Sequence, residues 1–488
     1  LFDTQRTGNG HLIELQRWRA EDVAALVVAS ENATDLPENI SERLYDETEG
    51  LPYLVVEYLN VLKTGAADDW TMPQTVHDLL TGRLADLDQT ALQLLQTAAV
   101  IGRSFDYDNL WNASGRSEEE VVTGLGQLLA RGLIREAPGT DGYALCYDFS
   151  HQQLRSVVYE GVHLARRRLL HRRIATALAV HSNTAPAGSI ASQIGYHYHA
   201  AGQDNLAAEQ YCLAGEFAQS LYANREALGH YETALALGYP STVELNEAIG
   251  DLHTLLGEYN AALHAYESAA ARADEVALAQ LEHKLGQVYE RRGDWELAES
   301  HLCAALEAGR PDQAARRALI NVDRSRVAHR SGDPDTATDL ATEALSLAEA
   351  SGDRLAEALA HNALGILARQ QGNPKEARDH LTRSLALAEE IGSESARIAA
   401  LNNLARLHAE LDDTAAALDL LEQALQLCRQ RGDRHHEAAL LNHRADVLHQ
   451  AGQENEAMSS LKEAVAIYAE IGLEAGDWQP EIWKLTEW

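Results

Sequence analysis

Cysteine is scarce in this sequence and never paired. The 488 residues contain 4 cysteines, Cys146, Cys212, Cys303 and Cys428, and no CxxC spacing joins any two of them. Zinc sites and disulfide frameworks depend on such spacing, so we expect neither, and the reducing cytoplasm is the expected location. Phenylalanine and methionine are also rare, at 4 and 2 residues, and the dominance of Ala and Leu favours closely packed helices over a sheet protein.

Long hydrophobic runs are absent as well. No stretch approaches the roughly 18 consecutive apolar residues of a membrane span, and the start, LFDTQRTGNG, lacks the charged and then apolar pattern of a signal peptide. We therefore expect no membrane association. The sequence also lacks an initiator methionine, which suggests a piece of a longer chain.

Positive charge is in short supply. Lys and Arg number 40 against 74 Asp and Glu, a formal net charge of −34 that would repel a nucleic-acid backbone. Nucleic acid is therefore an unexpected partner for this chain. One basic cluster, Arg166–Arg168 with Arg172 and Arg173, could bind phosphate, but a solvated helix face is the favoured interpretation.

Sequence motifs of catalysis and metal binding are missing too. There is no GxSxG, no HExxH and no GxxxxGK followed by Ser or Thr, so we expect no enzyme and no metal site in this chain. Four histidines lie close together in the sequence, but no two have the i, i+4 spacing that converges ligands on one helix face, and we predict that they lie on the surface. They are His435, His436, His443 and His449.

Internal repeats are the strongest positive signal. Three segments share one pattern of small residues: a Gly, a second Gly seven positions later, an Ala five further on, and an Ala or Ser seven after that. The sets are Gly250, Gly257, Ala262 and Ala269, then Gly286, Gly293, Ala298 and Ala305, then Gly365, Gly372, Ala377 and Ser384. Weaker copies begin at Gly215, Ser325, Ala405 and Ala445. The pattern resembles tetratricopeptide repeats, in which small residues let two antiparallel helices approach and stacked hairpins bury one continuous core.

The first helix of each hairpin in such an array lines a concave groove, the expected place for an inducer ligand, a peptide or a protein. Three residues before the small position, successive copies carry Asn362, Asn402 and Asn442. We expect these asparagines to be exposed in the groove, where an amide can pair with a peptide backbone, although they could instead satisfy neighbouring helix ends. Arginines near them would suit carboxylates or phosphates. These arginines are Arg326, Arg369 and Arg406.

The N-terminal 190 residues have a different pattern. HLIELQRW alternates like a strand, and helical periodicity follows from Ala20 to about Leu62. After Pro73, a helix-rich stretch leads through LGQLLARGLI and several turn residues to the alternating segment YALCYDF. Helices followed by a short hairpin predict a winged-helix domain.

Three segments carry a resemblance to a known class. TEGLPYLVVEYL (48–59), AAVIGRSF (98–105) and YDFSHQQLRSVVYEGVHLARRRLLHRRIATAL (147–178) look like the part that follows the ATPase core in signal-transduction ATPases with numerous domains, the STAND class. The resemblance implies a mostly α fold: a small helical domain and a winged-helix domain, followed by an α-solenoid of tetratricopeptide-like hairpins.

The same resemblance implies domain boundaries. It assigns 1–18 to the end of the ATPase core, 19–75 to the small helical domain, 76–163 to the winged helix and 164–204 to a helical arm. Residues 205–475 would form the sensor of about seven hairpins, and 476–488, with Trp478, Trp483 and Trp488, a C-terminal cap.

Nucleotide contacts are implied by resemblance alone. Gly50 and Pro52 match the Gly-x-Pro motif whose proline packs on adenine, and His151 matches a winged-helix histidine that touches the diphosphate of ADP. ADP or Mg²⁺-bound ATP would belong to the full-length protein, a slow ATPase, since this chain lacks the P-loop core.

Two functions remain open at this point. In the first, an inducer bound to the repeats controls ADP/ATP exchange on the missing core and self-association of the activated protein. In the second, the chain is a passive scaffold that binds protein or peptide partners without nucleotide control.

Overall fold

A computed structural model describes residues 16–29, 39–63, 72–138, 145–181, 188–309 and 313–470. It divides into two compact units, Leu1–Ala207 and Ala208–Trp488. Of the predicted end of an ATPase core at 1–18, only 16–18 are described, and the predicted cap at 476–488, with its three tryptophans, lies outside the described residues.

The first unit contains ten described helices and a small sheet. Its helices are α1 (Ala20–Ala29), α2 (Ile40–Thr48), α3 (Pro52–Lys63), α4 (Gln74–Leu84), α5 (Gln89–Ile101), α6 (Tyr107–Ser114), α7 (Glu118–Ala130), α8 (Gln152–Glu160), α9 (Leu164–His181) and α10 (Ala191–Ala200). The boundaries follow ordinary capping chemistry: the Asp88 side chain accepts from the Ala91 amide at the start of α5, and Ser117 with Glu120 forms a capping box at α7.

The sheet is antiparallel, with strand order β1-β3-β2. The strands are β1 (Ser104–Asp106), β2 (Ile134–Ala137) and β3 (Cys146–Phe149), and Phe105 pairs with Tyr147 while Ile134 pairs with Phe149. The aromatic rings of Phe105, Tyr147 and Phe149 pack together and join a core that includes Leu94 from α5. The alternation of Tyr147 and Phe149 in this segment therefore reflects one buried face of β3, whereas Leu145 before the strand is exposed.

The second unit is a stack of seven helical hairpins, and the unit boundary falls inside its first helix. Its helices are α11 (Asp204–Ser220), α12 (Asn224–Ala236), α13 (Thr242–Leu256), α14 (Tyr259–Ala270), α15 (Glu275–Arg292), α16 (Trp295–Ala308), α17 (Ala314–Ser331), α18 (Pro334–Ser351), α19 (Arg354–Gln370), α20 (Pro374–Glu390), α21 (Glu394–Glu410), α22 (Thr414–Arg431), α23 (Arg434–Gln450) and α24 (Glu454–Glu470). Each odd-numbered helix packs on the next even one, and the hairpins stack in sequence order. The fold class is thus the one that the repeats predict, a mostly α protein with a helical solenoid.

Small residues hold each hairpin together, as the spacing predicts. A Cβ atom placed on Gly286 would lie 2.8 Å from the Leu302 side chain of the opposing helix, so only glycine allows this approach. Ala298, at this crossing, and Ala377, at the equivalent crossing two hairpins later, are completely buried. The turn glycine Gly257 has φ of 78°, a left-handed conformation that ends α13.

Among the described helices, none is both long and apolar enough to cross a membrane. The four cysteines are free thiols.

Candidate ligand-binding interior of the repeat array

The inner wall of the array is formed by the first helix of each hairpin. Successive inner helices contact each other directly, for example α17 with α19 and α19 with α21. Polar side chains connect them: His283 Nε2 donates to Asp323 Oδ2 at 2.7 Å, and Arg326 pairs with Glu290 of the preceding inner helix at 2.8 Å. The interior is therefore polar and built from residues of several repeats.

The array closes on itself, because its first two hairpins touch its last two. Helix α13 packs against α23. Three further contacts join the turn before α12, α12 itself and α14 to α21, α22 and α23. These contacts are Tyr222 Oη donating to Glu394 Oε2 (3.0 Å), Asn224 Nδ2 donating to the Arg431 carbonyl (2.7 Å), and the Tyr259 ring against the His435 ring (centroids 5.7 Å apart). We call this set of contacts the seam.

The closure leaves a cavity of about 230 Å³ inside the array. Charged and imidazole side chains make up most of its wall, with a short apolar stretch from α19 and α21. The lining residues are Gln287, Glu290, Arg291, Asp323, Arg326, Arg330, Leu359, Ser395, Ile398, Ala399, Asp433, His435 and His436. Three arginines and three carboxylates balance one another, so the wall as a whole carries no large net charge.

One side of the cavity is a saturated ionic network centred on Asp323. Its carboxylate accepts from His283 and Gln287, each at 2.7 Å, and from Arg326 at 2.7 Å. Burial acts to raise the pKa of Asp323, but Arg326 and His283 outweigh it and bring that pKa to about 2. Asp323 is thus a buried carboxylate anion whose hydrogen bonds all come from the protein.

The opposite side of the cavity is lined by Arg291, Asp433, His435 and His436. Tyr259 lies outside this lining, and its hydroxyl is within reach of Arg291 for a side-chain hydrogen bond of poor geometry. His435, with 6% of its surface exposed, has a buried Nδ1 that is unpartnered. Burial, followed by the neighbouring His436 and Arg291, lowers the pKa of His435 well below its usual value, so the ring is neutral.

The predicted groove asparagines are buried instead of exposed. Their exposed fractions are 4% for Asn362, 1% for Asn402 and 3% for Asn442. Asn362 Oδ1 accepts from Asn403 Nδ2 at 3.1 Å, and Asn402 Oδ1 accepts from His443 Nδ1 at 2.9 Å, each partner belonging to the next inner helix. The expectation of exposed positions is wrong because inner helices stack directly at this face. A contact between these asparagines and a ligand stays a prediction.

The three predicted groove arginines have different surroundings. Arg326 lines the cavity and is held by Glu290 and Asp323. Arg369 pairs with Glu410 of the next inner helix. Arg406 is half-buried and lies near enough to His443 to depress its pKa. Of the predicted groove residues, only Arg326 therefore contributes to the wall of the cavity.

The prediction of surface histidines is wrong for most of the C-terminal cluster. His435 and His443 are buried, and His436 is largely buried while its Nδ1 donates to Asp433 at 2.6 Å; His449 alone is exposed. The cause is again the stacking of inner helices: His443 of α23 bonds Asn402 of α21, and α23 also packs against α13. Within the described ranges, no group of three or more His, Cys, Asp or Glu side chains is arranged to hold a metal.

The residues predicted to contact nucleotide lie in the first unit, and Glu49 connects two of them. Gly50, with φ of 68°, accepts at its carbonyl from the Trp18 amide (2.8 Å), and Pro52 opens α3. His151 caps α8, its Nδ1 accepting from the Leu154 amide at 3.2 Å. Glu49, directly before Gly50, accepts from the Gln152 amide directly after His151 at 3.1 Å.

Arginines surround this pair, and sequence reasoning missed them. Arg17 and Arg103 contact the Glu49 carboxylate at 2.6 and 3.0 Å, and Arg17 also donates to the Ser150 carbonyl at 2.7 Å. Burial, followed by the charge of Arg83, lowers the pKa of His151 to about 4, so this histidine is neutral at physiological pH. One carboxylate among three arginines leaves the surroundings of His151 positively charged.

Sequence reasoning also missed Arg291 and Tyr259, and it placed His435 on the surface. Their own repeats carry no signal for them, because they meet only through the closure of the array. The acidic and basic residues at the ends of inner helices hint at buried pairing, but they do not identify the partner.

Comparison with known proteins supports the repeats. Residues 316–390 and 396–470 match the family model described as tetratricopeptide repeat. No curated protein matched the chain. Among solved structures, a STAND protein with a tetratricopeptide repeat sensor from Pyrococcus horikoshii is 16% identical, with a TM-score of 0.44, over 98% of this chain and 72% of that one.

Two peptide complexes are similar at the same level. A Rap protein complexed with competence and sporulation factor is 15% identical, with a TM-score of 0.44, over 66% of this chain and 92% of that chain. A plasmid Rap conjugation gene regulator in complex with a Phr peptide is 14% identical, with a TM-score of 0.46, over 79% and 97%. Residues 316–390 and 396–470 of this chain are thus tetratricopeptide repeats.

Proposed function

We propose that this chain is the ligand-sensing and autoinhibitory part of an ATP-dependent switch of the STAND kind. An inducer, a peptide or a small molecule, binds in the interior of the array and controls ADP/ATP exchange on an ATPase core outside this chain, together with self-association. The observation that carries the proposal is the cavity inside the array, which is lined by charged and imidazole side chains of both middle and late repeats. A cytoplasmic location is part of the proposal.

The interior is suited to a ligand because its two sides differ. On the side of Asp323 every polar group is matched within the protein, which makes the wall rigid. On the other side, Arg291, His435 and His436 line the cavity and offer charged and polar groups to a ligand. Binding energy is therefore available at a surface composed of both middle and late repeats.

The nucleotide half of the proposal concerns the first unit. Pro52 would pack on the adenine of ADP, and His151 would touch the diphosphate. The residues present suit that group in charge, because Arg17, Arg83 and Arg103 surround one carboxylate and leave a positive field for phosphates. A bound diphosphate would compete with Glu49 for these arginines.

A ligand can act as a switch only through unequal affinity for two states. Moving a population from 1:99 to 99:1 requires about 10⁴-fold preference for the favoured state. An inducer that contacts both ends of the closed array would bind the closed state more tightly than the open one, because opening the seam would separate its two sets of contacts.

The test is thermal unfolding of the full-length protein, with its ATPase core, titrated with ADP and with ATP. We compare wild type with His151→Asn, which retains a good N-cap residue but loses the imidazole. His163→Ala is the control, since His163 accepts from the Arg166 amide at 3.3 Å in an equivalent but exposed cap. A saturable ADP response that weakens only in His151→Asn supports the switch.

The competing function is a passive repeat scaffold. It predicts the same interior binding but no response to either nucleotide in any of the three proteins. That result would remove nucleotide control from the proposal and leave only the array as a binding module.

A further inference from the structure

The size of the interior cavity limits what can occupy it. Its volume is about 230 Å³, and a sphere of this volume is about 8 Å across. Five extended residues of a peptide span roughly 17 Å, which is about twice that diameter. Sites for drug-sized ligands measure roughly 300–1,000 Å³. The cavity is therefore large enough only for a molecule smaller than either of these.

The charges on one side of the cavity cancel within the wall itself. Arg326 contacts the Glu290 carboxylate at 2.8 Å and the Asp323 carboxylate at 2.7 Å. Arg330 approaches the same glutamate at 3.9 Å. Two guanidinium groups and two carboxylates are thus paired with one another, and their geometry is set before any ligand enters.

The opposite side of the cavity is balanced in the same way. It contributes one carboxylate, Asp433, which accepts from the His436 ring at 2.6 Å, and one guanidinium, Arg291. His435 and His436 are neutral, because burial lowers the pKa of each. A ligand with a net charge would lose its hydration here without gaining a counter-charge that is not already balanced, which costs free energy.

An apolar strip and two uncharged polar groups complete the wall. The strip consists of Leu359 from α19 and of Ile398 and Ala399 from α21. The polar groups are the Gln287 amide, whose oxygen can accept a hydrogen bond, and the Ser395 hydroxyl, which can donate or accept. The wall therefore suits a molecule that combines a short aliphatic part with a neutral hydrogen-bonding group.

We propose that the interior of the array binds a small molecule without net charge, which has a branched aliphatic part and one neutral polar group, and that it does not bind an extended peptide. The aliphatic part packs on Leu359 and Ala399, and the polar group bonds Gln287 or Ser395. This inference rests on the proposed function of the array as a sensor and specifies the class of its inducer.

The experiment uses the chain as it exists and four probes. Three of them have the same shape: isovaleramide is neutral, isovalerate is an anion and isoamylammonium is a cation. The fourth is a peptide, N-acetyl-penta-alanine amide. Saturation-transfer NMR measures the binding of each probe at neutral pH and constant ionic strength. We expect saturable binding of isovaleramide, binding of both charged probes that is weaker by at least about tenfold, or about 1.4 kcal/mol, and no competition from the peptide.

Variants of the wall test whether the probe binds in the cavity. Leu359→Trp fills part of the space and should abolish the isovaleramide signal, while Leu359→Met conserves the volume and should retain it. Ser395→Leu also fills space and should weaken binding, and because Ser395 is exposed this variant should fold even if Leu359→Trp does not. Ser459→Leu, at an exposed position of α24 outside the cavity, should leave binding unchanged.

Four outcomes would overturn the inference: no binding of isovaleramide, equal binding of the three probes of the same shape, displacement of isovaleramide by the peptide, or binding that Ser395→Leu leaves unchanged. None of them bears on nucleotide control, because the assay contains no nucleotide and leaves His151 unchanged. An ADP response of the full-length protein without isovaleramide binding would retain the switch and refute only this inference. Isovaleramide binding without an ADP response would retain the interior site and refute the switch.

Discussion

Replacing Asn402 with alanine tests whether the inner asparagines support the stack. Asn402 is almost completely buried, and its Oδ1 accepts the Nδ1–H of His443 at 2.9 Å. Alanine removes the acceptor and leaves that N–H buried without a partner, which costs about 1–3 kcal/mol. The imidazole cannot compensate by becoming charged, because burial, followed by Arg406 and Arg369, lowers the pKa of His443 to about 3. We therefore expect a loss of stability near the upper end of this range.

Asn442→Ala is the matched control, since Asn442 occupies the same position 40 residues later but its Nδ2 has no partner in the described chain. We expect it to cost less than about 1 kcal/mol. Because repeat arrays depart from two-state unfolding, the free energies are best measured locally, by amide exchange in α21 and α23 alongside urea denaturation. Equal losses of unfolding free energy in the two variants would refute the inference that Asn402 supports the stack, and would favour a role of the asparagines in ligand binding.

Three further predictions follow from the same structure. Ala377→Leu places a large side chain at a buried helix crossing and should lower the free energy of unfolding by about 1–3 kcal/mol, while Ala386→Leu, on the exposed face of the same helix, should lower it little. Chemical denaturation compares the two variants, and wild-type stability of Ala377→Leu would contradict the hairpin packing. Asn224→Ala should remove the bond to the Arg431 carbonyl and speed amide exchange in α12 and α23, and unchanged exchange would mean that the seam is not formed in solution. The free energy of unfolding should fall as pH drops from about 6.5 to 4, because histidines of the unfolded chain bind protons in this range while His151, with a pKa of about 4, and the neutral His443 of the folded chain do not. The limiting slope is about 1.4 kcal/mol per pH unit for each histidine. A flat profile of stability against pH would contradict the burial of these two histidines.

Local spacing was enough to predict the hairpins. Gly286 and Ala298 are 12 residues apart, and two antiparallel helices joined at a turn glycine must bring such positions together, so the small residues identify the crossing. The seam carries no comparable signal, since Asn224 and Arg431 are 207 residues apart and meet only because small rotations accumulate over many hairpins.

A third group of contacts, those between neighbouring repeats, could have been predicted from the sequence but was not. Asn362 with Asn403, Asn402 with His443, and Arg369 with Glu410 all join residues 41 positions apart, one more than the repeat length. Searching for complementary polar residues at that offset would have assigned the asparagines to inter-repeat bridges. It would also have placed His443 in the interior.

The seam changes how the array unfolds. In an open stack a terminal repeat has one neighbour, so it frays first and unfolding spreads inward as in a linear chain of coupled units. Here the hairpin of α13 and α14 also contacts α23, so removing one repeat breaks two interfaces wherever it lies. The array therefore resembles a cyclic chain of coupled units, and a perturbation in its last hairpin reaches the early repeats without passing through those between them.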